Sequence, residues 1–120
     1  MATLQIVERQ VGDVTVLDLW GQITLGDASE SLRTTIQQLA KNGQTSVVLH
    51  LGGVYQVDSS GLGCLVAAYT GLQKLGGDLK LVQLSPRLED LMVMTKLVTV
   101  FDVYKDEAVA VESFRPKAEH

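Results

Sequence analysis

The spacing of apolar side chains changes several times along the chain, and each change predicts an element. Residues 4–9 and 14–20 are rich in β-branched and other apolar side chains. Gly12-Asp13 supplies a turn between them, so the pair predicts a β-hairpin that ends at Gly21. After Asp27 the period lengthens, and Leu32, Ile36, Leu39 and Ala40 recur at helical spacing. Asp27-Ala28-Ser29-Glu30 has a capping residue with a Glu three positions on, the spacing of a capping box, and Asn42-Gly43 closes the helix. Glu30 and Arg33 fall one turn apart on its exposed side and can pair. Residues 46–51, Ser-Val-Val-Leu-His-Leu, are nearly continuously apolar, the pattern of a buried central strand.

The second half repeats the alternation. Residues 59–75 predict a helix ended by Gly76-Gly77, and residues 78–84 a strand. Ser85-Pro86 opens a third helix, with Ser as N-cap, Pro at the first helical position and Leu88, Leu91 and Met92 as its apolar stripe. Residues 97–104 hold a short final strand, Asp106 caps a last helix, and residues 115–120 form a polar tail. The order ββαβαβαβα implies an α/β fold with a mixed, mostly parallel sheet of four or five strands and about four helices. No repeat or linker divides the 120 residues, a length that fits one domain.

Composition narrows the function classes. The chain is 46% apolar and 20% charged, the balance of a globular domain. Its net charge is −4, and its ten Lys and Arg residues are scattered singly. Direct nucleic-acid binding, which draws most of its affinity from phosphate neutralisation by a basic stripe, is not expected, nor is attraction to an anionic membrane. The longest apolar run, Cys64 to Tyr69, is six residues, against about 20 for a membrane span. The N-terminus has no basic region followed by an apolar stretch, so the expected compartment is the cytoplasm. Cys64 is the only cysteine and reads as a small buried apolar residue. His50 lacks a second His or Cys at ligand spacing, so it reads as a packed strand histidine, and neither metal nor cofactor is expected.

The unusual stretch is Val57-Asp58-Ser59-Ser60-Gly61-Leu62-Gly63, at the start of the second helix. Helix starts present unpaired N–H groups and a partial positive charge, and Ser59 or Ser60 could simply be the N-cap. A nucleotide-binding fingerprint is weak, because Val66 holds the third glycine position and no P-loop Lys follows. A nucleophile elbow needs Gly two residues before and two after the serine; Gly61 fits but Val57 does not. The two histidines, His50 in a strand and His120 at the terminus, are poor candidates for a triad base.

From Ser59 to Gln73 this helix carries no charge. Leu62, Leu65, Val66, Tyr69 and Leu72 form one apolar face; the opposite face holds Gly63, Ala67 and Gly71, four apart, then Lys74. A ridge of small residues is either covered by another element of the same domain or left for another protein to dock on.

The element order and the Asp58-Ser59-Ser60-Gly61-Leu62-Gly63 motif resemble the STAS domain family, specifically bacterial anti-sigma factor antagonists. The likeness spans residues 4–114 and includes Gly21-Gln22-Ile23, residues 47–51, residues 57–65, Gly76-Gly77 and Ser85-Pro86. The resemblance implies a non-enzymatic partner switch. The unphosphorylated antagonist binds an anti-sigma factor, often itself a serine kinase, and a sigma factor is released; phosphorylation ends the binding and a serine phosphatase restores it. The phosphoacceptor implied is Ser59. The expected partner surface joins the motif residues Asp58, Ser59, Ser60 and Gly61 to the small-residue ridge Gly63, Ala67 and Gly71, and the resemblance adds Thr24 and Asp27 of the preceding loop. Many antagonists carry Asp where this chain has Thr24. The alternative within the family is a scaffold or accessory subunit of a signalling or transport assembly that is never phosphorylated.

Overall fold

The strands that are apolar on both sides lie at the centre of the sheet. The computed structural model describes residues 4–114. Its elements are β1 (Leu4–Val11), β2 (Val14–Ile23), α1 (Asp27–Lys41), β3 (Ser46–Val57), α2 (Ser59–Lys74), β4 (Asp78–Val82), α3 (Pro86–Met94), a 3₁₀ turn (Leu97–Thr99), β5 (Asp102–Tyr104) and α4 (Glu107–Glu112). The strands form one sheet in the order β1-β2-β3-β4-β5. The hairpin pair β1–β2 is antiparallel and every other pair is parallel, giving the expected mixed sheet of five strands.

Alternation along β3 assigns its two faces. Val47, Leu49 and Leu51 pack with Leu32, Ile36 and Leu39 of α1, Leu62, Leu65 and Leu72 of α2, and Leu88 and Met92 of α3. Val48 points the other way, into a smaller cluster with Val14, Val16, Val82 and Ala110 of α4. Three helices thus cover one face and α4 part of the other. Each fully buried Leu on the larger face contributes about 1.5–3 kcal/mol. Arg9 ties the hairpin to α4: its guanidinium donates to Asp18 at 2.6 and 2.9 Å and to Glu107 at 2.7 and 3.1 Å. The same bonds hold the Asp18 carboxyl below the usual carboxylate range.

Four boundaries depart from the sequence reading. Gly21 does not end β2: at φ 111° it sits beside an irregularity in the pairing, and the strand continues to Ile23. β3 runs on through Gly52-Gly53 to Val57, and a Cβ on Gly53 would run into the Trp20 indole. That glycine makes room for a ring and does not stop the strand. The capping box does not form. Gly26 (φ 100°) occupies the cap position with no side-chain bond, Asp27 is already the first helical residue, and Glu30 pairs with Arg33 at 2.6 Å. The third strand of the parallel set ends early, at Val82, because Gln83 turns to φ 65°.

The caps expected for α3 and α4 form. Ser85 caps α3 through Leu88 N–H, with Pro86 first in the helix, and Asp106 caps α4 through Ala108 N–H. The polar tail, residues 115–120, lies outside the described residues. Among the described residues no helix is long and apolar enough to cross a membrane.

Candidate functional site

The C-terminal ends of β2 and β3 bring two loops together at the start of α2. Asp58 follows β3 directly in an extended conformation and caps α2: its Oδ1 accepts from Gly61 N–H at 2.8 Å, and its Oδ2 accepts from Leu25 N–H at 3.0 Å. One carboxylate therefore fastens the β2–α1 loop to the helix start. These main-chain donors, Gly61 first and Leu25 second, hold the Asp58 carboxyl below its ordinary range. Asp58 N–H in turn donates to Ile23 C=O at 3.3 Å.

The cap is thus Asp58 and neither serine. A carboxylate one residue earlier reaches the third N–H of the helix, so the serine hydroxyls are not needed there. Ser59 is exposed and Ser60 half-buried, and among the described residues no side-chain hydrogen bond holds either hydroxyl. Ser59 is the first residue of α2. Its hydroxyl is free beside a helix N-terminus whose N–H groups and dipole favour negative charge.

Gly61 lies beneath this surface and not on it. It is buried, and a Cβ there would collide with Ile23 C=O and come within 2.9 Å of Val57 Cγ1. Its missing side chain serves close packing of α2 on β2. Gly63, Ala67 and Gly71 are all exposed, and Cβ atoms on Gly63 or Gly71 would meet nothing within 4 Å. Residues 59, 63, 67 and 71 are spaced four apart, so they share one face over about 18 Å of helix. No other element of the described residues covers this ridge, so of the two sequence readings the uncovered one is observed. Beside the ridge, Ile36, Ala40, Ala68 and Leu75 line a shallow groove of about 470 Å³ between α1 and α2.

The preceding loop joins the same surface. Asp27 is exposed, and Thr24 is half-buried, its carbonyl accepting from Ser29 N–H at 3.2 Å and Ser29 Oγ at 2.7 Å. Leu25 is a residue the sequence reading missed. It is 77% exposed, and its N–H bond to Asp58 holds it next to Ser59. The available signal was a lone Leu in an otherwise polar loop. Cys64 is only half-buried, its Sγ donating to Ser29 C=O at 3.4 Å, and burial pushes its thiol pKa up. It joins α2 to the first turn of α1 and does not sit in the core.

Among the described residues no histidine stands near Ser59. His50 stands opposite Asp18 in β2 and accepts from Gly52 N–H at 3.4 Å. It lies seven residues before the end of β3, about 23 Å along the strand, so it cannot serve as base for Ser59.

Comparison with known proteins places the chain in a family. The STAS domain profile matches residues 5–110. The chain is 34% identical over 97 residues to the anti-sigma-B factor antagonist of Bacillus subtilis, covering 81% of this chain and 86% of that one. A crystal structure of an anti-sigma factor antagonist from Mycobacterium paratuberculosis superposes with a TM-score of 0.80 at 22% identity, covering 94% of this chain and 95% of the other. The Bacillus cell fate determinant SpoIIAA in its phosphorylated form superposes with a TM-score of 0.73 at 21% identity, covering 92% of this chain and all of that one (100%). By profile, by relative and by fold, the chain belongs to the STAS domain family, in its anti-sigma factor antagonist branch.

Proposed function

We propose that this protein is a phosphorylation-controlled anti-sigma factor antagonist acting in the cytoplasm. In its unphosphorylated form it docks an anti-sigma factor that is also a serine kinase, through Ser59, Leu25 and the ridge Gly63, Ala67 and Gly71, and so releases a sigma factor. The kinase ends the binding by moving the γ-phosphoryl group of ATP to Ser59 Oγ; ADP leaves and the hydroxyl proton passes to the kinase. A serine phosphatase restores the binding form. The observation that carries this reading is the free Ser59 hydroxyl: Asp58 takes the cap, so the serine stands exposed at the head of an uncovered, uncharged helix face.

The electrostatics support a switch. Phosphate adds roughly 1.5 to 2 negative charges beside Asp58. The helix dipole compensates part of this within the domain. A partner surface fitted to a neutral hydroxyl would have to bury the remaining charge unpaired, which is costly. Exclusion of the phosphate weakens binding by several kcal/mol, on the order of a thousandfold. The name of the 34%-identical Bacillus relative and the existence of a phosphorylated form of SpoIIAA point the same way.

The test is incubation with the anti-sigma kinases of the host and ATP, followed by peptide mass spectrometry. One phosphate confined to Ser59 is expected. Ser59 left unmodified by every such kinase would overturn the switch and leave the scaffold reading.

A further inference from the structure

Residues 24–26, between β2 and α1, are tied down on both sides. Asp58 Oδ2 accepts from Leu25 N–H at 3.0 Å, while Oδ1 of the same carboxylate caps α2 at Gly61 N–H. Toward α1, Thr24 C=O accepts from Ser29 N–H and Ser29 Oγ, and Gly26 C=O accepts from Glu30 N–H at 3.0 Å. Cys64 Sγ of α2 donates to Ser29 C=O at 3.4 Å. The loop and the helix turn that follows it are therefore joined to α2 through both Asp58 and Cys64.

The side chain that this framework carries is apolar and bare. Leu25 is the only large apolar residue between Ile23 and Ala28, and it is 77% exposed. A single exposed leucine is ordinary on a protein surface. This one is distinguished because its main chain is held while its side chain meets solvent, next to Ser59. A partner that buries it orders one side chain and no main chain, so ordering offsets little of the apolar gain.

We infer that Asp58 is a positioning residue for docking: it holds Leu25 beside Ser59 as the apolar anchor of the interface, and the anti-sigma partner carries an apolar pocket next to the spot that receives the Ser59 hydroxyl. The inference rests on the proposed docking of an anti-sigma factor at this surface, and it adds which side chain anchors the complex and what presents it. The Asp58 carboxylate then has two tasks on two oxygens, the helix cap on Oδ1 and the loop on Oδ2. Substitution separates them. Asparagine caps a helix about as well as aspartate, but its amide nitrogen donates and cannot accept from Leu25 N–H. Serine caps too, through one oxygen on a shorter arm.

The test measures binding of the unphosphorylated full chain to each anti-sigma kinase of the host by calorimetry, and amide exchange in the free chain. Leu25→Ala, at a position exposed enough to leave folding intact, should weaken binding roughly tenfold or more. Leu25→Met, which keeps the volume, should weaken it by no more than about threefold. Asp58→Asn and Asp58→Ser should speed exchange at Leu25 N–H, leave Gly61 N–H protected, and weaken binding roughly threefold or more. Added to Leu25→Ala, either Asp58 substitution should cost less than about twofold further, because the group it positions is gone. A capping role alone would weaken binding by the same factor with Leu25 or without it. Equal affinity of wild type and Leu25→Ala, or additive losses in the double variants, would overturn the inference and leave the docking reading in place. Unchanged Leu25 exchange in both Asp58 variants would overturn it as well. Wild type that binds no such kinase defeats the docking reading, and this inference with it.

Discussion

The three glycines at the head and along the face of α2 should respond to the same substitution in opposite directions. Gly61→Ala puts a methyl group against the Ile23 carbonyl, with Val57 Cγ1 at 2.9 Å on the other side. Main chain cannot rotate aside as a flexible side chain can, so the cost should lie near the top of the overpacking range, about 3 kcal/mol. A gain of about 0.5–1 kcal/mol from replacing a helical glycine offsets only part of it. The net loss of about 2 kcal/mol is a large fraction of a typical stability of about 5–15 kcal/mol. Moving the helix start would also pull Gly61 N–H off Asp58. At Gly63 and Gly71 the new methyl meets nothing within 4 Å, so only the backbone gain remains. The two sites lie about 12 Å apart along the helix, so their gains should add, to about 1–2 kcal/mol. For a chain of this length that is a rise of about 3–8 °C in Tm. Urea denaturation of the three single variants and the Gly63→Ala/Gly71→Ala double variant measures all of this. Destabilisation by Gly63→Ala would mean that something packs on the ridge. A Gly61→Ala protein as stable as wild type would mean that α2 does not approach β2 so closely.

The remaining predictions concern surface, charge and thiol. Ala67→Arg should change stability by no more than about 0.5 kcal/mol yet weaken binding to the anti-sigma partner at least tenfold; equal affinity by calorimetry would remove the ridge from the interface. The folded Asp18 carboxyl titrates below its unfolded value of about 3.9 because Arg9 holds it. Its stabilising contribution is therefore complete above that value and is lost as pH falls through the folded value. Asp18→Asn should lower stability at pH 7 and flatten the acid limb of the stability profile; an unchanged limb would contradict the Arg9 network. Cys64, its thiol pushed up by burial, should alkylate slowly with iodoacetamide at neutral pH and quickly in denaturant. Equal rates in the two states would contradict its place between α1 and α2.

Much of the fold was legible because its patterns are local. The apolar run at residues 47–51, Ser85-Pro86 at a helix start and the glycines after α1 and α2 each determine their own neighbourhood. The misreadings have two causes, one distant in sequence and one local. Residues 46–51 read as the whole of β3, and its continuation past Gly53 lies against Trp20 of another strand. Asp27 reads as a cap until Gly26 has already turned the chain into the helix. The site was legible as a motif but not as a mechanism. Sequence spacing cannot tell which of Asp58, Ser59 and Ser60 caps α2, and the answer decides whether the Ser59 hydroxyl is occupied. The partner of the second Asp58 oxygen, Leu25 N–H, lies 33 residues away. That bond is why an exposed leucine stands next to the serine.

The most direct test of the account is the affinity of the anti-sigma partner for wild type, Ser59→Ala, Ser59→Asp and the Ser59-phosphorylated protein, measured side by side by calorimetry. Wild type and Ser59→Ala should bind alike, Ser59→Asp more weakly, and the phosphorylated protein on the order of a thousandfold more weakly. Equal affinity of the phosphorylated and unphosphorylated forms would contradict the claim that Ser59 controls docking.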